Sequence, residues 1–325
     1  MEEKKSMGGY LGLELDVRNE YYPNAIKLNS GRNGLEYILR ANNYSKVYIA
    51  YYTCDAVLKP IERLNINYEF YRVNKSLEPE FDFQKIKPSE AFLYTNYFGL
   101  KSSFIKNELQ TKKNIIIDNA QAFFSKPVGK LATFYSPRKF FGVPDGSYVF
   151  LDRKFNIELE KSTSYDNAKH LIKQLDLSTE EGYKDYLNNE AGINDAPLQE
   201  MSNFTQRLLK SIDYNKIEKK RKENFNFLKK ELAAYNELDL FDTDEGPLHY
   251  PLLLKGNSTN IKEELIKQKI FIPTYWDNVL EWIAGKDCWE KKLVNNLIPL
   301  PIDQRYNIED MKYLVRIVKQ LMNDN

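Results

Sequence analysis

The feature that most constrains the fold is a repeated change of hydrophobic period between residues 30 and 152. Short runs rich in β-branched and aromatic residues, which predict strands, alternate with segments that carry apolar residues at helical spacing. The predicted helices are 30–41 and 55–64, and the predicted strands are 46–52, 66–73, 90–99, 113–120, 131–136 and 146–152. This order is typical of βαβ units, so it predicts an α/β fold with a mostly parallel, helix-covered sheet.

Past residue 155 the sequence changes to long polar helices. Residues 201–235 keep apolar side chains at helical spacing for most of their length, 248–254 reads as a strand, and 261–268 and 308–322 read as amphipathic helices. The change predicts a large domain over residues 1–212 and a smaller C-terminal α+β domain over residues 213–325.

Composition excludes several classes of protein. A formal net charge of +1 over 325 residues gives no support for a nucleic-acid-binding surface. Two cysteines and two histidines argue against a metal cluster or a multi-histidine metal site. The first residues contain no apolar run long enough for a signal peptide, and no later run approaches a membrane span. These observations predict a cytoplasmic protein with no membrane partner.

Asp118 is the residue that most needs an explanation. It ends the apolar run "III" at 115–117, and Gln121 follows one turn later. Burying an unpaired charge is expensive. Either a turn exposes Asp118 to water, or the carboxylate is held ionised against a buried cationic nitrogen. Because ligands of open α/β sheets bind at the carboxyl ends of strands, the second reading makes Asp118 a candidate site residue.

The segment "NSGRNG" at 29–34 begins a predicted helix, with Ser30 or Asn29 as its cap. Small residues at a helix start leave backbone N–H groups free to bind a phosphate, and the helix dipole adds to the attraction. The alternative is an ordinary capped helix with Gly31 in a turn. The segment "TNYFG" at 95–99 is a further polar strand end, which is equally well explained as a transition from core to loop.

The loop "YSPRKFFGVPDGS" at 135–147 carries Lys139 among Phe134, Phe140 and Phe141. Desolvation by these rings would favour the neutral, nucleophilic amine. The alternative is one more solvated lysine. Ser136 could add a hydroxyl donor to a phosphate. A phosphate-binding turn, a strand-end aspartate and a loop lysine, in that order, are typical of a pyridoxal phosphate site.

With these segments in place, the chain resembles the DegT/StrS group of pyridoxal-phosphate aminotransferases, which mostly act on nucleotide-linked keto-sugars. "SGRNGLEYILRA" is similar to their phosphate turn, "IIIDNAQAF" to their Asp-x-Ala-Gln/His-Ala motif, and "FYSPRKFFGVPDGS" to their Ser, Lys and Gly motif. The resemblance covers most of the chain. It implies the aspartate aminotransferase fold (fold type I), a pyridoxal 5'-phosphate cofactor, a homodimer, and a part in surface glycan or amino-sugar biosynthesis.

The resemblance also implies a role for individual residues. Lys139 would form the Schiff base with the cofactor and move the proton, and Asp118 would pair with the pyridine nitrogen. The other implied cofactor contacts are Gln121 at the ring, Gly31, Arg32 and Asn33 at the phosphate through backbone amides, Ser136 through its hydroxyl, and Asn194 reaching the phosphate of a neighbouring subunit. Small-molecule substrates follow, with glutamate as the usual amino donor.

Three departures from the family pattern bear on the cofactor contacts. Cys54 stands where an aromatic residue stacks on the ring, so Tyr52 or Tyr97 would have to substitute. The spacing from Ser136 to Lys139 is two residues shorter, and Gly146-Ser147 replaces paired glycines. The aromatics Tyr10, Tyr97, Tyr275 and Trp276 either line the acceptor pocket or belong to the core.

Two alternatives to a sugar aminotransferase remain open at this stage. The first is a fold-type-I scaffold that binds a ligand or partner without turnover. The second is a pyridoxal-phosphate-dependent lyase that acts on an amino acid by β-elimination or desulfurisation, for which Cys54 would be the catalytic cysteine.

Overall fold

A computed structural model describes residues 7–153, 155–240, 243–256 and 258–324. Within them, ten strands form one sheet of eight and one sheet of two. The strands are β1 (Ile26–Leu28), β2 (Lys46–Ala50), β3 (Asn67–Val73), β4 (Pro79–Glu80), β5 (Glu90–Thr95), β6 (Ile115–Asn119), β7 (Ala132–Tyr135), β8 (Ser147–Phe150), β9 (His249–Leu253) and β10 (Leu297–Pro301).

The large sheet has the strand order β1-β8-β7-β6-β5-β2-β3-β4. Its five central strands, from β7 to β3, run parallel, whereas β1, β8 and β4 add antiparallel edges. The central strands β5 and β6 are buried along their whole length, as strands covered on both faces are. The predicted α/β fold with a mostly parallel sheet is therefore confirmed.

Eleven α-helices occur in the described ranges. They are α1 (Gly31–Asn42), α2 (Leu58–Arg63), α3 (Ser102–Phe104, continued by a π-helical turn), α4 (Lys169–Asp176), α5 (Thr179–Asp195), α6 (Asn203–Leu209), α7 (Tyr214–Leu232), α8 (Thr259–Lys267), α9 (Asn278–Trp282), α10 (Trp289–Asn296) and α11 (Ile308–Asn323). None of these helices is long and apolar enough to cross a bilayer.

Helix α1 begins where the sequence predicts. The Ser30 hydroxyl accepts a hydrogen bond from the Asn33 backbone N–H at 3.2 Å, which caps the helix. Gly34 lets α1 lie directly on the sheet, because a Cβ atom there would come within 2.7 Å of the Ser147 hydroxyl. The close approach fixes the amino end of α1 beside the carboxyl ends of the central strands.

The C-terminal part of the chain builds its own apolar cluster around β9 and β10, which pair antiparallel. Side chains of α7, α8 and α11 pack on these strands, among them Phe225, Leu265 and Leu314. The run 201–235 is divided into α6 and α7, because Asp213 caps a new helix at Tyr214. The boundary between residues 212 and 213 stays a prediction.

Candidate active site

A cavity of about 440 Å³ lies at the carboxyl ends of β2, β6 and β7 and at the amino end of α1. Several residues singled out in the sequence line it, among them Ser30, Gly31, Arg32, Cys54, Asp118, Ser136 and Lys139. These residues are far apart in the chain. The parallel strands and the capped helix bring them to one place.

The start of α1 faces Ser136 across the cavity wall. A Cβ atom at Gly31 would lie 3.7 Å from the Ser136 Cβ. Neither the Gly31 nor the Arg32 backbone N–H has an acceptor in the described parts of the chain, as expected in the first turn of a helix. The Arg32 Nε atom is also buried without a hydrogen-bond partner. These donors make the helix start and Ser136 an anion-binding corner.

Asn33 does not belong to that corner. Its backbone N–H is already bonded to the Ser30 hydroxyl, and its side chain donates to the Asn29 side chain and the Pro197 carbonyl, each at 2.7 Å. Asn33 is 1% exposed and is not in the cavity wall. The predicted phosphate contact through Asn33 is therefore wrong, because the cap uses the Asn33 amide.

Asp118 is buried at the end of β6, with 7% of its surface exposed. Its Oδ1 accepts the Ala120 backbone N–H at 2.8 Å. No lysine, arginine or histidine nitrogen of the described ranges lies within ion-pair distance of the carboxylate. Burial raises the pKa of Asp118, against the lowering effects of the Ala120 N–H, Lys139 and Thr95. Asp118 is thus a buried carboxylate that forms no ion pair with the residues that the structure describes.

Gln121 lies behind the cavity wall, 1% exposed. Its Oε1 accepts the Phe98 backbone N–H at 2.8 Å, which fixes the orientation of the amide. Its Nε2 is buried and has no hydrogen-bond partner. Both N–H donors of this Nε2 are therefore unused by the residues that the structure describes.

Lys139 ends a short 3₁₀ turn, Pro137–Lys139, and is exposed to solvent in the cavity. Phe140 and Phe141 turn away from it into a separate aromatic cluster, where both rings pack on Phe123. Phe134 lines the cavity as well, but Lys139 is exposed, so the predicted burial of Lys139 among Phe134, Phe140 and Phe141 is wrong. The lysine amine is accessible, and the turn that carries it is anchored by those aromatics.

Cys54 lines the cavity, and its thiol donates to the Asp55 carboxylate at 3.4 Å. Burial raises the pKa of Cys54, although nearby Lys139 has a lowering effect. The thiol form is therefore favoured, which argues against an activated thiolate nucleophile.

Most of the aromatics proposed for the pocket lie elsewhere. Tyr52 and Tyr97 are fully buried in the core with ring centroids 5.7 Å apart, so neither reaches the cavity to replace the stacking aromatic. Trp276 packs on Tyr52, and Tyr10 is 99% exposed. Tyr275 alone of these predicted aromatics is in the cavity wall. Asn194 is half-buried near the end of α5, outside the cavity.

The other side of the cavity holds residues that the sequence reasoning missed. Helix α5 contributes Tyr186 and Glu190, and Glu190 forms an ion pair with Arg138. Arg138 directly precedes Lys139, and this position was the only feature of the sequence that could have indicated Arg138 as a cavity residue. No motif connects it with Glu190, which is 52 positions away.

The C-terminal part closes the same side with four further residues: Leu248, His249, Pro273 and Tyr275. Burial, helped by the positive charge of Arg221, lowers the pKa of His249 to about 3. His249 is therefore neutral at ordinary pH, and its Nδ1 is buried without a hydrogen-bond partner.

Arg221 connects this side of the cavity to the Lys139 turn. It is 2% exposed, and its guanidinium donates to the Pro247 and Leu248 carbonyls at 3.1 and 3.2 Å. It also donates to Gln304, whose amide donates to the Phe140 carbonyl at 2.8 Å. Burial lowers the pKa of Arg221 to about 10.

No protein-family model matches the chain, and no curated protein matches it either. Solved structures do. Spr1654 from Streptococcus pneumoniae, provisionally described as a sugar aminotransferase, has a TM-score of 0.66 at 16% identity in its apo form, over 93% of this chain and 87% of its own. A DegT DnrJ EryC1 StrS aminotransferase from Brucella abortus has a TM-score of 0.63 at 13% identity, over 91% and 85%.

A third similar structure is NtdA from Bacillus subtilis, which was solved with its cofactor PMP bound. It has a TM-score of 0.64 at 14% identity, over 92% of this chain and 73% of its own. At these identities the likeness concerns the fold. The chain therefore has the fold of these aminotransferases, and the fold type I architecture expected from the sequence is confirmed.

Proposed function

We propose that the protein is a pyridoxal-phosphate-dependent aminotransferase that transfers an amino group, with glutamate as donor, to a nucleotide-linked keto-sugar. The observation that carries the proposal is Asp118. A buried carboxylate without a cation of its own shares a cavity with an accessible lysine and a helix start that offers free N–H groups. These are the three groups that this cofactor needs.

The residues present fit the cofactor. Four groups would hold the phosphate: the Gly31 and Arg32 backbone amides, the Ser136 hydroxyl and the Arg32 guanidinium. All of them belong to residues of the cavity wall. The two amides and the Arg32 Nε form no hydrogen bond with the residues that the structure describes. The contact of Gln121 with the oxygen on the ring rests on the family resemblance alone, because this side chain is 1% exposed and is not in the cavity wall. The wall therefore leaves donors for an anion and an acceptor for a cationic nitrogen.

When bound, the cofactor supplies an aldehyde that condenses with amines and a ring that accepts an electron pair. Asp118 would keep the ring nitrogen protonated, because an ionised carboxylate stabilises a neighbouring cation in a site with little water. The hydrogen bond from Ala120 holds the Asp118 carboxylate in place. The buried unpaired charge is thereby compensated.

Lys139 would be the residue that forms the covalent link and later moves the proton. Its amine is exposed within the cavity, and the 3₁₀ turn together with the packing of Phe140 and Phe141 fixes its backbone. Once released, the Nζ atom can take a proton from the substrate carbon and return it, as a general base and acid.

The same proposal includes the substrate and the assembly. Descriptions of similar structures as sugar aminotransferases support a sugar acceptor, and the family resemblance supports a nucleotide-linked one. We propose a homodimer in which Asn194 approaches the phosphate of the neighbouring subunit. The exposed apolar side chains of α4 and α5, such as Ile172, Leu175 and Leu187, support an interface on this side.

The test is the absorbance spectrum of the purified protein before and after addition of glutamate. We expect a yellow protein whose visible band disappears with glutamate and returns with a keto-sugar acceptor. Borohydride reduction followed by peptide mapping should place the pyridoxyl group on Lys139. A colourless protein that gains no visible band with added pyridoxal phosphate would contradict the proposal.

A further inference from the structure

Arg138 is the cationic side chain nearest in sequence to Lys139, and it lines the same cavity. Its side chain is 12% exposed, and its Nε donates to the Pro144 carbonyl at 3.1 Å. That bond fixes the plane of the guanidinium. The Nη2 edge is left for a carboxylate, and Glu190 occupies it.

Glu190 is the more exposed partner, at 29% of its side chain. It forms no other hydrogen bond with the residues that the structure describes. The preceding residue, Asn189, is 3% exposed and donates to the Pro144 carbonyl at 2.9 Å. Helix α5 therefore stays attached through Asn189 when the Glu190 side chain turns towards solvent.

The cationic side chains that line the cavity outnumber the carboxylates, so the cavity can bind an anion. Arg32, Arg138 and Lys139 face it, against the carboxylates of Asp118 and Glu190. In the proposed function Arg32 is used by the cofactor phosphate and Asp118 by the ring nitrogen. Arg138 is then the guanidinium left for the substrate.

We propose that Arg138 binds a carboxylate group of a substrate, and that Glu190 occupies this position until the substrate displaces it. The inference rests on the proposed function, since it assigns a substrate contact within that site. Guanidinium groups bind carboxylates through paired hydrogen bonds, and one carboxylate replaces another without leaving a buried charge unpaired. The carboxylate belongs either to the amino-acid donor or to an acidic sugar.

The test uses glutarate, a dicarboxylate without an amino group, so that binding is measured without reaction. Calorimetry is done on the protein as purified, with pyridoxal phosphate added. We expect Arg138→Gln to raise the Kd for glutarate about tenfold or more. We expect Glu190→Gln to lower it about threefold or more, because the internal competitor is removed.

Opposite changes in the Kd for glutarate indicate that the ligand displaces Glu190 from Arg138. If the ion pair were purely structural, both substitutions would weaken glutarate binding. Glu181→Gln is the matched control, since it makes the same change of charge on α5 more than two turns away and should leave the Kd unchanged. Thermal melting shows whether each variant folds. If Arg138→Gln does not fold, the sign of the Glu190→Gln effect decides alone.

A second arm identifies the source of the carboxylate. The Kd for glucuronate is measured for the wild type and for Arg138→Gln. If glucuronate binds more tightly than glutarate and also depends on Arg138, the carboxylate belongs to the acceptor. If glutarate binds more tightly, the carboxylate belongs to the donor. Weaker or unchanged glutarate binding in Glu190→Gln overturns the exchange. The protein could also be colourless and inactive while Arg138→Gln weakens glutarate binding and Glu190→Gln strengthens it. That result would overturn the proposed function but not the carboxylate-binding role of Arg138.

Discussion

The two sides of the cavity are built differently. The sheet wall consists of Ser30, Gly31, Arg32, Asp118, Ser136 and Lys139, all at strand ends or at a helix start. The outer wall consists of Tyr186, Glu190, Leu248, His249, Pro273 and Tyr275, which come from α5 and the C-terminal part. In the proposed function the sheet wall supplies the groups for chemistry, and the outer wall supplies groups that contact the substrate.

The difference follows from how each wall is held. Hydrogen bonding between parallel strands fixes the sheet wall, and register places Asp118 beside Phe134 and Thr95. The outer wall depends on packing between distant segments. We therefore expect substitutions in the sheet wall to abolish turnover and substitutions in the outer wall to change binding or stability. Three predictions test this expectation, and a fourth concerns Cys54, which also lines the cavity; they follow in order of decreasing effect.

The largest effect is expected for Lys139→Ala. Turnover should fall by about 10³-fold or more, because both the covalent link and the proton transfer are lost. Steady-state kinetics with glutamate and a keto-sugar measures it. Lys130→Ala is the control, since Lys130 is exposed and paired with exposed Asp152. Turnover in Lys139→Ala close to wild type would mean that another lysine carries the chemistry.

Asp118→Asn should reduce turnover by about 10²-fold while the protein still binds pyridoxal phosphate. A neutral amide does not stabilise a protonated ring nitrogen, whereas the phosphate contacts are unaffected. Absorbance titration with the cofactor and kinetics on the same preparation separate binding from turnover. Loss of cofactor binding together with turnover would show that Asp118 holds the cofactor and does little for the reaction.

His249→Gln tests the outer wall through pH. The folded-state pKa of His249 is about 3, below the ordinary value of 6.5, so the unfolded state takes up a proton first as the pH falls. Wild-type stability should therefore decrease between pH 6.5 and pH 3 by up to about 1.4 kcal/mol per pH unit more than that of the variant.

Urea unfolding of both proteins at several pH values in this interval measures the difference. The free energy of unfolding of both proteins will change with pH through their carboxylates, which are the same. Only the part of this pH dependence that His249 contributes should be absent from the variant. Parallel pH profiles for the two proteins would show that His249 is accessible to protons in the folded state.

The smallest effect is expected for Cys54→Ala, although Cys54 lies in the cavity. Its thiol is largely protonated because burial raises its pKa, and no step of the proposed reaction uses it. Turnover should stay within about twofold of wild type. Loss of activity, or release of sulfide from cysteine by the wild type alone, would favour the desulfurising lyase.

Local sequence patterns predicted most of the sheet wall. Apolar runs located β5, β6 and β7, and the Ser30 cap located the start of α1, because both signals depend on neighbouring residues. The same reasoning placed Asn33 at the phosphate, since it did not account for the amide that the cap uses. It also kept Lys139 among aromatics, although those rings turn into the core.

The outer wall could not be predicted in the same way. No bounds were predicted for β1, which has only three residues, or for α5, whose apolar side chains follow only a weak helical period. The pairing of Arg138 with Glu190 depends on where α5 packs. Tyr275 was named as a pocket residue together with Trp276, Tyr97 and Tyr10, and the sequence contained nothing that separates it from them.

Arg221 has a practical consequence for anyone who wishes to redesign the specificity of the protein. Its guanidinium joins the Leu248 segment to the Lys139 turn through Gln304 and through the ring of Phe140, 4.6 Å away. Substitutions at Leu248 or His249 that move this backbone would therefore disturb the turn that carries the lysine. A library on α5 at Tyr186 would vary the pocket at a position that Arg221 does not contact and should yield more active clones, whereas one at Glu190 would reach the same turn through Arg138.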